Sequence, residues 1–244
     1  MRALIAVLVA STVATGMGAA ISGPAAAGAF EIAPTTIDIA PGADRAVFYI
    51  TNHGSQPIVV QIQGFDWRQT DGGEQLDRSD ALTISPPMAR LVPERRQTVR
   101  LAIGPGAAPA ERSFRLVASE LPDPQATAPQ GVRVLLQLSV PVFAAGTHPT
   151  PARLTWSAVQ SPGGISLAAR NTGTRHAKLM EMFVTTADGA KIALAPGTIS
   201  YVLAGVSRRW AVALPGRRAG ETLRITGLDD SDGTTIGAPI TLAP

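Results

Sequence analysis

The sequence predicts an all-β fold arranged as two sandwich domains, and three observations carry that reading. Period-two runs, in which every second residue can face a core, extend through residues 46–50, 58–62, 99–103 and 132–140, the signature of strands, while helical periodicity is scarce. Turn formers punctuate these runs, among them Asp71-Gly72-Gly73, Asp188-Gly189 and Asp232-Gly233, each placing a residue tolerant of positive φ where a hairpin needs one. The third observation is an internal echo. Tyr49-Ile50-Thr51-Asn52-His53-Gly54 precedes Ile58-Val59-Val60, and Ala168-Ala169-Arg170-Asn171-Thr172-Gly173 precedes Ala177-Lys178-Leu179-Met180. Strand end, Asn-x-Gly turn and second strand recur as at the B–C corner of an immunoglobulin-like domain, so the expectation is two immunoglobulin-like β-sandwiches.

Taken in order, the chain opens on a targeting segment. Arg2 supplies a positive start, residues 4–13 form a short apolar run, and Ala27-Gly28-Ala29 is a small-x-small cleavage site. Residues 1–29 are therefore read as a signal peptide, with the mature chain starting near Phe30. That apolar run is shorter than the roughly 20 residues a bilayer span requires, and every later apolar stretch is interrupted by Arg, Asp, Gln or Pro. The expectation is export to the periplasm without membrane insertion. Residues 144–151, rich in Gly and Pro, make the natural linker, dividing the mature chain into 30–146 and 147–244.

Composition narrows the function. Apolar residues are 45% of the chain but aromatic ones only 5%, so the cores must be built from Val, Leu, Ile and Ala. With no cysteine, neither disulfides nor thiol chemistry is available. The formal charge of +3 comes from scattered arginines without a basic block interleaved with aromatics, which argues against nucleic acid. His53, His148 and His176 lie in turn or linker contexts without metal-ligand spacing, and each is expected to be an exposed turn residue. Asp229-Asp230-Ser231-Asp232-Gly233 lacks the downstream Glu of a calcium loop and is read as a hairpin turn. Arg90 to Arg96 contains Pro93-Glu94 and is read as a solvated turn. Asp66 and Glu111 are taken as surface or salt-bridge acids. No enzyme, metal site or cofactor is expected.

The informative segment is Gly131-Val132-Arg133-Val134-Leu135-Leu136-Gln137-Leu138-Ser139-Val140-Pro141. Along a strand, Val134, Leu136, Leu138 and Val140 share one face. Two readings stand. The four residues pack in their own core, or the strand is an edge that lends its apolar row to another protein. An unblocked apolar edge is an aggregation hazard unless it has a client, and donor-strand complementation of pilins by a chaperone is a named example of strand addition.

Residues spread through the first domain resemble the periplasmic chaperones of the chaperone–usher pilus pathway, the PapD-like family. They are Pro41-Gly42, Thr51-Asn52, Ser85-Pro86-Pro87 with Leu91-Val92-Pro93, Val99-Arg100-Leu101, Glu111-Arg112-Ser113-Phe114-Arg115-Leu116, Glu120-Leu121-Pro122 and Ser139-Val140-Pro141-Val142-Phe143. Phe65-Asp66-Trp67-Arg68-Gln69 and the Val-Pro-Val-Phe ending resemble the archaic branch of that family. The resemblance implies pilin subunits and an outer-membrane usher as partners, with Val134, Leu136, Leu138 and Val140 filling the groove of an incomplete subunit. A buried aliphatic side chain would contribute about 1.5–3 kcal/mol before association costs. Well-known branches anchor the subunit carboxylate with an Arg and a Lys, but the aligned positions here, Thr36 and Ser139, are not basic. Arg115 and Arg133 remain as candidate bidentate anchors, beside an ordinary surface or interdomain role. Phe30 and Ile32 alternate as a second edge strand at the mature N-terminus, and self-association through the exposed edge is a further expectation. The competing classes are an exported structural or adhesive immunoglobulin-like module and a periplasmic hydrolase, which a pocket converging on His53, His148 or His176 would favour.

Overall fold

The computed structural model describes residues 30–70, 73–106, 108–122 and 134–244, and all regular structure among them is β. Residues 1–29, Asp71, Gly72 and Arg133, on which the signal peptide, a turn and one candidate anchor were placed, lie outside the described residues.

Ten strands precede residue 145: β1 (Phe30–Ala33), β2 (Ile37–Ile39), β3 (Arg45–Asn52), β4 (Ile58–Thr70), β5 (Gly73–Arg78), β6 (Leu82–Ser85), β7 (Met88–Leu91), β8 (Arg96–Ile103), β9 (Arg112–Leu121) and β10 (Gln137–Ala144). Eight follow: β11 (Leu154–Ser161), β12 (Gly164–Asn171), β13 (Ala177–Thr186), β14 (Lys191–Ala193), β15 (Ser200–Val202), β16 (Ser207–Val212), β17 (Thr222–Asp229) and β18 (Thr234–Ala243).

The first ten form a sandwich. One sheet has the order β1-β3-β8-β6, and the other runs β2-β10-β9-β4-β5 with β7 also on β4. Phe48, Ile50, Val60, Val99, Leu101, Phe114, Leu116 and Val142 fill the space between them, every second residue of their strands turned inward. The remaining eight strands surround a separate core of Ile165, Leu167, Leu179, Val184, Leu223 and Ile225. The aliphatic composition expected of the cores is what fills both.

The two Asn-x-Gly corners have the same construction. Asn52 is fully buried, donates through Nδ2 to the Gln56 and Leu91 carbonyls (2.9 and 3.1 Å), and accepts from the Gly54 amide at 2.8 Å. Asn171, also fully buried, donates to the Arg175 and Val202 carbonyls (2.7 and 3.1 Å) and accepts from the Gly173 amide at 2.9 Å. It also takes the Arg153 amide at 3.1 Å, tying β11 to the corner. A side chain is excluded at Gly173, because a Cβ there would meet the Pro151 carbonyl oxygen at 2.1 Å. One buried amide thus satisfies several backbone groups that the turning chain leaves orphaned.

Turn readings hold in most places. Asp229 and Thr234 close the β17–β18 hairpin, with Gly233 at φ 74° and the Asp229 carboxylate accepting from the Ser231 and Lys178 amides. Gly189, at φ 88°, turns the chain from β13 to β14. The 90–96 stretch turns at Val92–Arg95, with Glu94 in the left-handed region.

Two expectations are corrected. The strand foreseen over 132–140 begins in the structure at Gln137 and runs to Ala144, since pairing with β9 extends only from Gln137↔Ser119 to Ala144↔Arg112. His176 is buried rather than exposed. Its ring stacks on Phe143 with centroids 3.5 Å apart, and its Nδ1 donates to Glu111 Oε1 at 2.8 Å. Of the two roles expected for Glu111 it is the salt bridge that holds, with its side chain buried.

Candidate functional site

The geometry that matters is the edge of the first sandwich where β1 and β10 lie. The amino-terminal strand switches sheets. β1 pairs antiparallel with β3, and only β2 joins the other sheet, running parallel to β10 over Val142↔Ile37 to Ala144↔Ile39. One side of β10 is paired with β9 along its whole length, whereas its other side is paired from Val142 onward only. Among the described residues, 137–141 thus have no strand paired on that side, and β1 forms the edge of the facing sheet.

Alternation decides which groups face which way. Glu120 N–H donates to the Leu136 carbonyl at 2.9 Å, so even-numbered residues of the strand direct their main-chain groups at β9. Ala145 N–H donates to the Ile39 carbonyl at 3.0 Å, so odd-numbered residues address the opposite side. Leu135, Gln137 and Ser139 therefore turn their amides to the unpaired edge, and Pro141, with no amide, precedes the start of β2 pairing.

The apolar row is graded. Val142 and Val140 are buried in the first core, at 0% and 5% exposure. Leu138 and Leu136 are half-buried and pack against the same core. Val134 is 59% exposed, and its neighbour Leu135 is 40% exposed. The row thus starts inside the sandwich and emerges into solvent. Phe30 and Ile32 belong to β1 and are buried in the first core.

Arg115 sits elsewhere. Its guanidinium carbon lies 3.8 Å from the centroid of the Trp67 ring and its Nη2 is 3.6 Å from Glu74 Oε2. Burial pulls the guanidinium below its ordinary pKa, Glu74 and Tyr201 oppose that shift, and the nearby Arg208 adds to it. Arg208 also donates to Glu74 Oε1, at 3.2 Å. Arg115 is committed to the seam between the two sandwiches, and anchoring a carboxylate would require it to leave these partners.

That seam was not foreseen from sequence. Trp67, Phe143, Tyr201 and Leu203 form a small core of their own. Gln69 bridges it, donating to the Tyr201 carbonyl at 2.9 Å and accepting from the Leu203 amide at 3.0 Å. Phe143 and the His176–Glu111 pair complete it, so the carboxyl end of β10 is held by both sandwiches. Alternating large residues at the end of a long strand, in Phe65-Asp66-Trp67-Arg68-Gln69, were the available signal.

Among the described residues no group of three or more His, Asp or Glu side chains is placed to hold a metal ion, and no helix is long and apolar enough to cross a membrane.

Comparison with known proteins follows this geometry. The family model described as pili and flagellar-assembly chaperone, PapD N-terminal domain, matches residues 29–150. The chain belongs to that family. It is an assembly chaperone rather than an enzyme. Among solved structures, the chain resembles one in the CsuC–CsuE chaperone–tip adhesion subunit pre-assembly complex from the archaic chaperone–usher Csu pili of Acinetobacter baumannii. The TM-score is 0.69 at 22% identity, over 88% of this chain and 100% of that one. The YadV chaperone gives 0.63 at 16% identity, over 87% and 99% of the two chains. A chain in the complex of the SafA pilin with the SafB chaperone of Salmonella enterica gives 0.58 at 14% identity, over 88% and 96%. These likenesses cover both sandwiches and support the two-domain immunoglobulin-like fold. No curated protein sequence matches the chain.

Proposed function

We propose that this protein is a periplasmic chaperone that binds pilin subunits by donor-strand complementation and hands them to an outer-membrane usher. The observation that carries the reading is the half-paired strand β10, whose apolar row emerges from the core beside an unpaired edge. An incomplete immunoglobulin-like subunit lacks one strand. Residues 134–140 supply that strand, with Val134, Leu136 and Leu138 entering its groove and the main chain of Leu135, Gln137 and Ser139 giving the hydrogen bonds. Val140 marks the depth at which the row returns to its own core. Phe30 and Ile32 hold β1 as the opposite wall of the edge.

Support for the partner class comes from relatives of the same fold, whose complexes contain a tip adhesion subunit and a pilin. The archaic branch is the favoured placement, because the motif at residues 65–69 suggests it and one of the resembled structures comes from an archaic chaperone–usher system. The domains divide at 146/147 under this reading, and residues 1–29 direct export. Arg133 is the better of the two anchor candidates, since Arg115 already has an aromatic ring and a carboxylate as partners. In the free protein the same edge supports self-association.

The test is affinity capture of tagged protein from the periplasm of its native host, with partners identified by mass spectrometry. Small immunoglobulin-like pilins recovered with the wild type and lost with a folded Leu136→Glu variant are the expected result. Capture of no such subunit by folded wild-type protein would contradict it and favour an exported structural module.

A further inference from the structure

The strand that leaves the core has to leave at a defined residue, and a buried carboxylate stands at that point. Glu120 is the penultimate residue of β9 and only 5% exposed, an unusual place for an acid. Continuing the β9–β10 register one step beyond Gln137↔Ser119 sets Glu120 opposite Leu136. Two bonds are made there. The Glu120 amide donates to the Leu136 carbonyl at 2.9 Å, and the Leu136 amide donates at 3.3 Å to Oε2 of the Glu120 side chain. A regular antiparallel pair exchanges two main-chain bonds. Here a carboxylate takes one of them, and Val134, Leu135 and Leu136 lie outside the strand.

From this arrangement we infer that Glu120 is a positioning residue for the donor strand. Its main chain and carboxylate together grip Leu136, which sets the register of the apolar row and the residue from which Val134 and Leu135 project freely. The side-chain oxygen supplies an acceptor for the Leu136 amide at the point where the ladder ends, so the chain is held one residue beyond β10. Leu136 then meets a subunit already in register, while Val134 engages last. This role rests on the reading of β10 as donor strand, but the grip itself is a property of the free chaperone.

The first arm uses the free protein. A through-hydrogen-bond scalar coupling between the Leu136 amide nitrogen and the Glu120 carboxylate carbon is expected in labelled wild type. Glu120→Ala is expected to speed exchange of the Leu136 amide by about tenfold or more, with Glu120→Gln, which keeps a carbonyl acceptor, restoring most of the protection. Absence of the coupling in wild type, or unchanged Leu136 exchange in folded Glu120→Ala, would overturn the inference without touching the donor-strand reading. The second arm uses the subunit captured with the wild type. Glu120→Ala is expected to lower its recovery several-fold and Glu120→Gln to restore it. Equal recovery with all three proteins would remove the positioning role.

Discussion

The two halves of β10 differ in nearly every physical respect, and polar and apolar residues alternate only as far as Val140. Residues 142–144 are flanked by β9 on one side and β2 on the other, and Phe143 is stacked on His176 of the second sandwich. Among the described residues, 137–141 are paired with β9 alone, and the row they continue reaches an exposed Val134. Pattern within a strand tells which face is apolar. Whether that face is used for the protein's own core or offered to another chain depends on what lies across the edge. That is set by β2, a three-residue strand more than a hundred positions earlier in the chain, and by where it stops.

Substitutions along the strand should separate the two roles. The largest stability loss is expected for Phe143→Ala, about 3–5 kcal/mol in urea unfolding, because it empties a site that is 1% exposed and shared by both sandwiches. Leu136→Glu should cost far less, about 1–2 kcal/mol for a half-buried side chain, yet abolish subunit capture. Leu138→Ala should resemble it in stability, about 1–2 kcal/mol, and weaken capture without abolishing it. Val134→Ser should move the unfolding midpoint least, within about 0.5 kcal/mol, and reduce capture only slightly. A stability cost for Leu136→Glu as large as that for Phe143→Ala would erase the distinction between the halves.

Much of the fold was legible in the sequence because its cause is local. Period-two alternation gave the strands, the Asp-Gly pairs at 188–189 and 232–233 gave turns, and Asn52 and Asn171 announced two corners that share three side-chain hydrogen bonds of the same kind. The apolar row was legible for the same reason. The seam was not. Glu111 meets His176 across 65 positions and Gln69 meets Tyr201 across 132, and neither residue of either pair carries a local sign of its partner. His176 looked like a turn residue because it follows Asn171-Thr172-Gly173; it is buried because Phe143 and Glu111 come to it from the other sandwich. The start of β10 at Gln137 was equally hidden, since a side-chain carboxylate rather than a hydrophobic pattern ends the ladder.

The most direct test of the central claim is residue-resolved amide exchange of the chaperone, free and bound to its captured subunit. In the free protein Leu138 and Val140 should exchange slowly, their amides directed at β9, while Leu135, Gln137 and Ser139 exchange fast. Binding should slow Leu135, Gln137 and Ser139 selectively, leaving Phe143 and Ala144 as they were. Unchanged exchange at those three residues in a stable complex would contradict the account and place the subunit on another face.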